Sequence, residues 1–400
     1  MIHIINNVFV LTTNNTSYIF EANKAGLLLH HYYGVKCDFS DFEMIKKKND
    51  GGQGTACLYE GENNQWIDAF DLECSFVGKG DYREVMLSLS QDTLGYTTNF
   101  KYQKYELVKN SDEVLPGSYN PDHVLRIDLV DERFNVSCEM IYKVYEKTDT
   151  ITKYIRLKNE GKQNIHIHQA MSNQVDFPSD DYVLMNFSGS WAKERHVSEK
   201  PLSPGSYTID SKSGVSSNKH NPFFIIKKAS TTENQGEAYG FNLVYSGNHY
   251  ANVESLPNQQ VRVLQGINPY CFEWELKPNE TFVTPEAVLS FSNQGLNRLS
   301  QSMHSFVQEH IVRGFWKNKN RPVLFNNWEA TYFNFDEKKL LKLAKDSQDL
   351  GVELFVLDDG WFGKRNNDQT SLGDWTENLK KLPNGLKGLS EKIHKLKMMF

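Results

Sequence analysis

Paired cysteines are missing from this sequence. Its five cysteines, Cys37, Cys57, Cys74, Cys138 and Cys271, are widely spaced, and none stands in a Cys-x-x-Cys pair. An odd, scattered set argues against a disulfide framework and against a structural zinc site. It points instead to a reducing compartment. Long apolar runs are missing too: no stretch approaches the ~18 residues of a membrane span. The opening residues, MIHIINNVFVLTT, have no basic start and no long apolar middle, so they do not read as a secretory leader. The location expected is cytoplasmic. Charge of one sign is not in large excess, at 44 Lys+Arg against 50 Asp+Glu. Basic runs such as Lys46-Lys47-Lys48 are short and isolated, which is the pattern of a solvated loop and not of a nucleic-acid surface. Fixed-period repeats and low-complexity tracts are absent as well.

Aromatic residues are plentiful, with 24 Phe and 19 Tyr. They suit the pleated, half-buried surfaces of a β-rich core. They also suit a sugar-binding surface, where flat rings stack on a pyranose, but the β-rich core is the commoner cause. Four of the seven tryptophans, Trp316, Trp328, Trp361 and Trp375, fall in the last quarter of the chain.

The first 294 residues carry strand signals. β-branched and aromatic runs recur at residues 8–12, 17–20, 86–89, 125–129, 139–145, 151–157, 165–171, 223–227, 239–245 and 261–264. Turn clusters at residues 173–176, 178–181, 204–205 and 246–248 punctuate them. Residues 141–161 alternate on either side of a turn, a hairpin pattern. The reading is an all-β domain over residues 1–294, large enough for two packed sheets. From residue 295 the period changes: Leu296, Leu299, Met303, Phe306, Val307 and Ile311 recur at three and four, one apolar face of a helix. Residues 295–320 read as a linker helix and connector.

Residues 321–400 run strand, helix, strand, helix. Asn334 stands where a cap would, with Glu337 completing a capping box, and Gly351 ends that helix. Leu386, Leu389, Ile393 and Leu396 mark the second helix, and Met398-Met399-Phe400 reads as entry into a third strand. An eight-stranded α/β barrel takes about 250 residues. Two strand–helix units do not close one, so the expectation is an incomplete (β/α)8 barrel, completed by sequence beyond residue 400, with an exposed apolar edge and poor solubility.

At the C-terminal ends of barrel strands lie the side chains that build active sites. Here those ends carry Asn326, Asn327, Trp328 and Glu329 after the first strand, and Asp358, Asp359, Gly360 and Trp361 after the second. Adjacent carboxylates can reach one ligand only where the strand ends and the backbone turns. Asp358 and Asp359 are placed to accept hydrogen bonds from neighbouring hydroxyls of one sugar. A polar loop, a cap or a metal site are the other readings of the pair. Trp328, Trp361 and Trp375 wall a pocket or pack as ordinary rim residues. Glu329 and Asp374 serve acid–base chemistry or simply cap and solvate.

The stretches NNWEATYFNF, GVELFVLDDGWFG, SLGDW and KLPNGL resemble the opening of the catalytic barrel in α-galactosidases of glycoside hydrolase family 36. QGEAYGFNLVYSGN, the long run from GINPYCFEWEL to SNQGLN, and DFPSDDY followed by GSWAKER resemble that family's N-terminal region. The likeness runs from about residue 60 to the end. It implies an N-terminal β-supersandwich, a (β/α)8 TIM barrel, and retaining hydrolysis of terminal α-linked galactose from sugars such as raffinose or melibiose. It implies no metal and no organic cofactor. It assigns Asp358 and Asp359 to galactose hydroxyls and Trp328 to the wall of the site. Trp191 would reach a neighbour's active site in a homotetramer. The family's polar loop near residue 50 is replaced here by KKKNDGGQGT, so no residue is carried over there. The family's nucleophile stands in a Lys-Trp-Asp motif and its acid/base in a Ser-Asp motif. This sequence has no Lys-Trp-Asp, so both groups are expected beyond residue 400, and the 400-residue chain is expected to be inactive. A reading from another class remains: a non-catalytic fragment whose β-sandwich oligomerises or binds sugar weakly. Reading the DNA past codon 400 separates the two.

Overall fold

The structure, a computed structural model, describes residues 1–38, 40, 42–46, 67–109 and 116–400. Lys47, Lys48, Cys57 and all but the first residue of the KKKNDGGQGT loop lie outside the described residues. Two compact units make up the chain, Met1–Val312 and Arg313–Phe400.

Alternation builds the first unit. Along the strand Val136–Tyr145, residues Val136, Cys138, Met140, Tyr142 and Val144 turn into the core. The chain then reverses through residues 146–149 onto Thr150–Asn159, with Tyr145 opposite Thr150, the hairpin that the sequence pattern calls for. This hairpin lies inside a ten-stranded sheet. On one side follow His123–Asp131 and Lys101–Val108. On the other come Glu286–Ser292, Ala238–Val244, His220–Lys227, Val183–Ser190 and the edge strand Lys193–Pro201. A six-stranded sheet is centred on Ile165–Phe177 and Val261–Ile267, and a four-stranded antiparallel sheet runs from Ile2–Ile5 to Leu28–Val35. Side chains from all three sheets, Phe9, Tyr142 and Val263 among them, form one continuous core. The unit is a β-sandwich.

Residues 173–176 are not a turn. They lie inside the strand Ile165–Phe177, fully buried. Polar side chains are tolerated there when partnered: Gln174 accepts from the Ser75 hydroxyl at 2.6 Å, and Arg262 on the paired strand holds both oxygens of Asp176 at 2.8 Å. The helix at 295 also differs from a free linker. It runs Gly295–Phe306, continues as a π turn over Val307–Ile311, and packs Leu299, Met303 and Phe306 onto Ile225 and Val288 of the large sheet. Its apolar face has a partner, so it closes the first unit, and the break between units falls after Val312, inside the stretch 295–320 read as helix and connector.

Asp149, at the hairpin turn, ties three parts of this unit together. It accepts from the Thr13 hydroxyl at 2.9 Å, the Asn15 amide at 2.8 Å and the Asn15 side chain at 2.7 Å. Arg298 of the last helix approaches it at 3.2 Å. Asp149→Ala strands these donors and is expected to lower stability by about 1–3 kcal/mol, read as a lower urea midpoint.

In the second unit, Leu324–Asn326 pairs in parallel with Leu354–Val356, Phe325 opposite Phe355. The helices Glu337–Asp349 and Gly385–Lys395 cover one face, with Leu340, Ala344, Phe355, Leu389 and Ile393 in the core. The first helix is capped by Asp336 and not by Asn334. Asp336 has the extended backbone that a cap needs, and it accepts from the Lys339 amide at 2.8 Å. Glu337, freed from a capping box, pairs with Lys392 and with Asn384. Gly351 follows with φ +89°, a left-handed position that suits glycine. Met399 bridges Leu354 in parallel, as a third strand would. The order is that of a TIM barrel at its start. No helix among the described residues is long and apolar enough to cross a membrane.

Candidate active site at the strand ends

Two asparagines organise the strand ends. Asn327 is fully buried. Its amide oxygen accepts from the Asp358 backbone at 2.8 Å, and its amide nitrogen donates to the Thr331 hydroxyl at 2.9 Å. One side chain thus fixes where both strands stop. Asn326 donates to Asp358 Oδ2 at 2.6 Å and accepts from the Trp328 amide at 2.8 Å. The other Asp358 oxygen accepts from the Asp359 amide at 2.7 Å. Asp358 is therefore held from behind by two short donors. A carboxylate has about four acceptor positions, so it keeps capacity for a ligand.

Asp359 is held differently. Arg365 grips it in a fork, Nε at 2.9 and 3.1 Å and Nη2 at 2.8 Å, and the Gly360 amide adds a bond at 2.6 Å. The Arg365 bonds hold the Asp359 carboxyl below the usual carboxylate range, against a smaller opposing push from burial. Asp359 is thus an ionised, acceptor-only group in ordinary buffers.

Trp328 opens a short helix, Trp328–Thr331, and its ring meets Tyr332 and Phe333 edge-on at 5.3 and 4.9 Å. Through Asn326 it is one side chain removed from Asp358. Trp361 is half-buried, stacks on the exposed Trp375 at 6.4 Å, and meets Phe362 edge-on. Their loop is pinned by Gly363 N to Thr376 O at 2.7 Å and Asn378 N to Trp361 O at 2.8 Å. Asp374, exposed on the same loop, accepts from the Thr376 hydroxyl at 3.3 Å, and Glu329, also exposed, accepts from the Tyr332 hydroxyl at 3.1 Å. Trp191 belongs to the first unit, at the tip of the hairpin whose edge strand Lys193–Pro201 is exposed at every residue, and the tryptophan itself is 91% exposed. That hairpin depends on Gly189, where a Cβ would lie 2.5 Å from the Lys193 carbonyl.

The strand ends therefore gather Asp358, Asp359, Asn326 and Trp328, and a second group, Trp361, Trp375 and Asp374, lies on the following loop. The sequence pointed to all of these but gave no part to Arg365 or Lys381. Their signals were an arginine six residues past Asp359 and the lysine that begins KLPNGL. Among the described residues, no group of three or more His, Cys, Asp or Glu gathers as metal ligands. The chemistry on offer is acceptance of hydroxyl hydrogen bonds beside an aromatic wall.

Residues 26–277 match the profile of the glycosyl hydrolase family 36 N-terminal domain, and residues 281–400 that of melibiase. Alpha-galactosidase AgaA of Geobacillus stearothermophilus is 36% identical over 406 residues, 98% of this chain and 54% of the relative. The crystal structure of the GH36 alpha-galactosidase AgaB from that organism superposes with a TM-score of 0.95 at 36% identity, over 100% of this chain and 56% of that one. A variant of AgaA solved in complex with raffinose superposes at 0.93 with 35% identity, over 98% of this chain and 55% of that one. This chain spans about half the length of the curated relatives it matches.

Proposed function

This chain belongs to glycosyl hydrolase family 36, and on that footing we propose that it forms the sugar-anchoring side of an α-galactosidase site. Asp358 and Asp359 accept hydrogen bonds from adjacent galactose hydroxyls, and Trp328 packs against the pyranose. Trp361, Trp375 and Asp374 line the outer part of the same pocket. The observation that carries this is the strand-end pair: Asp358, fixed by two donors with acceptor capacity left over, beside Asp359, which the Arg365 fork holds ionised. Raffinose- and melibiose-type α-galactosides are the substrates, supported by the raffinose complex of the AgaA relative.

Retaining hydrolysis needs two further carboxylates about 5–5.5 Å apart at the anomeric carbon. Asp358 and Asp359 are committed to hydroxyls in this reading, and no Lys-Trp-Asp occurs in the sequence. The division between anchoring and bond breaking follows. Trp191, exposed at its hairpin tip, serves a neighbouring subunit's site in a homotetramer, and light scattering on the purified protein reports that state. A cytoplasmic location is supported by the unpaired cysteines Cys74, Cys138 and Cys271.

Saturation-transfer NMR on the 400-residue chain is the test. D-galactose is expected to receive saturation at millimolar concentration, more strongly than D-glucose, which differs only at the 4-hydroxyl. The same chain is expected to release no p-nitrophenol from p-nitrophenyl α-D-galactopyranoside. Absence of galactose saturation would overturn the anchoring role, and clear turnover would overturn the division of labour.

A further inference from the structure

KLPNGL begins with Lys381, and the lysine does something specific. Its ammonium donates to three backbone carbonyls: Gly360 O at 2.8 Å, Phe333 O at 2.9 Å and Arg365 O at 3.3 Å. An ammonium has three N–H groups, and all three are used. The face of Phe335 lies 4.7 Å away, as a cation–π neighbour. Burial pushes the Lys381 amine down, and the charge of Asp359 opposes that push.

The three carbonyls come from two different loops. Phe333 follows the first strand, and its ring touches Trp328. Gly360 and Arg365 follow the second strand and bracket the Asp359 contacts. Arg365, in turn, grips Asp359, donates to Thr370 O at 2.8 Å, and lies over the Phe333 ring at 5.5 Å. A single nitrogen thus joins the loop of the aromatic wall to the loop of the carboxylates.

We propose that Lys381 and Arg365 are positioning residues for the sugar site: Lys381 is a tethered cation holding the Trp328 and Asp359 loops in register, and Arg365 fixes the Asp359 carboxylate. Neither touches the sugar. The inference rests on the reading that Asp358 and Asp359 bind galactose. Carbonyls that converge on a cation repel one another once it is removed, so loss of Lys381 spreads the two loops. Small displacements of positioning groups are costly at such sites.

The test uses the 400-residue chain with D-galactose as probe, at a temperature where circular dichroism shows each variant folded. Lys381→Ala is expected to weaken galactose binding about tenfold. Added propylammonium, which supplies the missing stem and charge to the three carbonyls, is expected to recover most of the loss. A residue that merely stabilises the fold gives no such rescue of affinity. Arg365→Met is the second variant. Without the guanidinium, Asp359 loses the bonds that chiefly lower it and burial is less opposed, so its carboxyl titrates higher and galactose binding on acidification fails at a higher pH than in the wild type. Wild-type binding that both variants leave unchanged in strength and pH profile overturns the inference alone. A wild-type chain that binds no galactose overturns the sugar site and this inference with it.

Discussion

Lys153→Met is expected to destabilise the first unit by about 3–5 kcal/mol, because it leaves a buried carboxylate without its counter-charge. Glu73 lies wholly inside the sandwich and accepts from the Tyr18 and Tyr142 hydroxyls, each at 2.8 Å on Oε1, and from Lys153 at 2.5 Å. His30 Nδ1 stands 3.0 Å from its other oxygen. The group joins three sheets: Tyr18 comes from the small one, Tyr142 and Lys153 from the large one, and the Lys153 ammonium also donates to Gln174 O of the third at 2.9 Å. A domain is stable by about 5–15 kcal/mol, so this loss is a large share of the total. Urea denaturation followed by circular dichroism measures it. Adding Glu73→Gln to Lys153→Met removes the stranded charge and is expected to regain part of the loss, and a double variant worse than the single one would show that the pair is not the source.

The pH dependence separates the same two states by sign. Burial alone pushes the Glu73 carboxyl up, but Lys153 and His30 outweigh it, and the group sits below its ordinary value. A depressed carboxylate gives stability that is full above the unfolded value near ~4.3 and is lost as pH falls through the folded value. In Lys153→Met burial is less opposed, so the carboxyl rises. Its contribution then reverses: stability increases as pH falls through the raised value toward ~4.3. Urea midpoints between pH 4 and 8 that fell in parallel for both proteins would contradict this assignment.

The second large effect is at the proposed sugar site. Asp358→Asn is expected to weaken galactose binding about 10- to 150-fold, the equivalent of one charge-assisted hydrogen bond of about 1.5–3 kcal/mol. For a millimolar ligand that removes detectable saturation transfer. Asparagine has one acceptor oxygen where Asp358 uses two, so it keeps the bond from the Asp359 amide and gives up the one from Asn326, whose exposed side chain turns to water instead. Thermal unfolding of the second unit is accordingly expected to change by no more than one such bond, about 1 kcal/mol. Full retention of galactose binding in a folded Asp358→Asn chain would take Asp358 out of the site.

What the sequence disclosed tracks which forces are local. Asp358-Asp359 was readable because an apolar run stops abruptly at two charges, and strand geometry then leaves few options. Leu299, Met303 and Phe306 were readable as a helix face, yet nothing local told that the face rests on Ile225 and Val288. Residues 173–176 looked like a turn because polar clusters usually are. The distant Arg262, Ser75 and Leu72 make Gln174 and Asp176 tolerable in a buried strand. The edge strand Lys193–Pro201 has no buried residue and so no hydropathy signal at all. Asn334 and Asp336 are both good caps by type, and backbone conformation decided for Asp336. Lys381 is the extreme case, since its role is set by three carbonyls, none closer than 16 residues in sequence.

The pairing of Thr150–Asn159 with Glu286–Ser292 has a consequence for synthesis on the ribosome. The central seam of the large sheet joins segments more than a hundred residues apart in the chain. Until Ser292 has emerged, the strand Thr150–Asn159 lacks its neighbour on that side, and Ala238–Val244 lacks its own. At about 5–20 residues per second, the stretch from Asn159 to Ser292 takes on the order of 7–27 s, during which the Thr150–Asn159 edge stays open and, in its last part, the Ala238–Val244 edge with it. For that interval the growing polypeptide is a substrate for chaperones, and its yield in a cell depends on how fast they reach it.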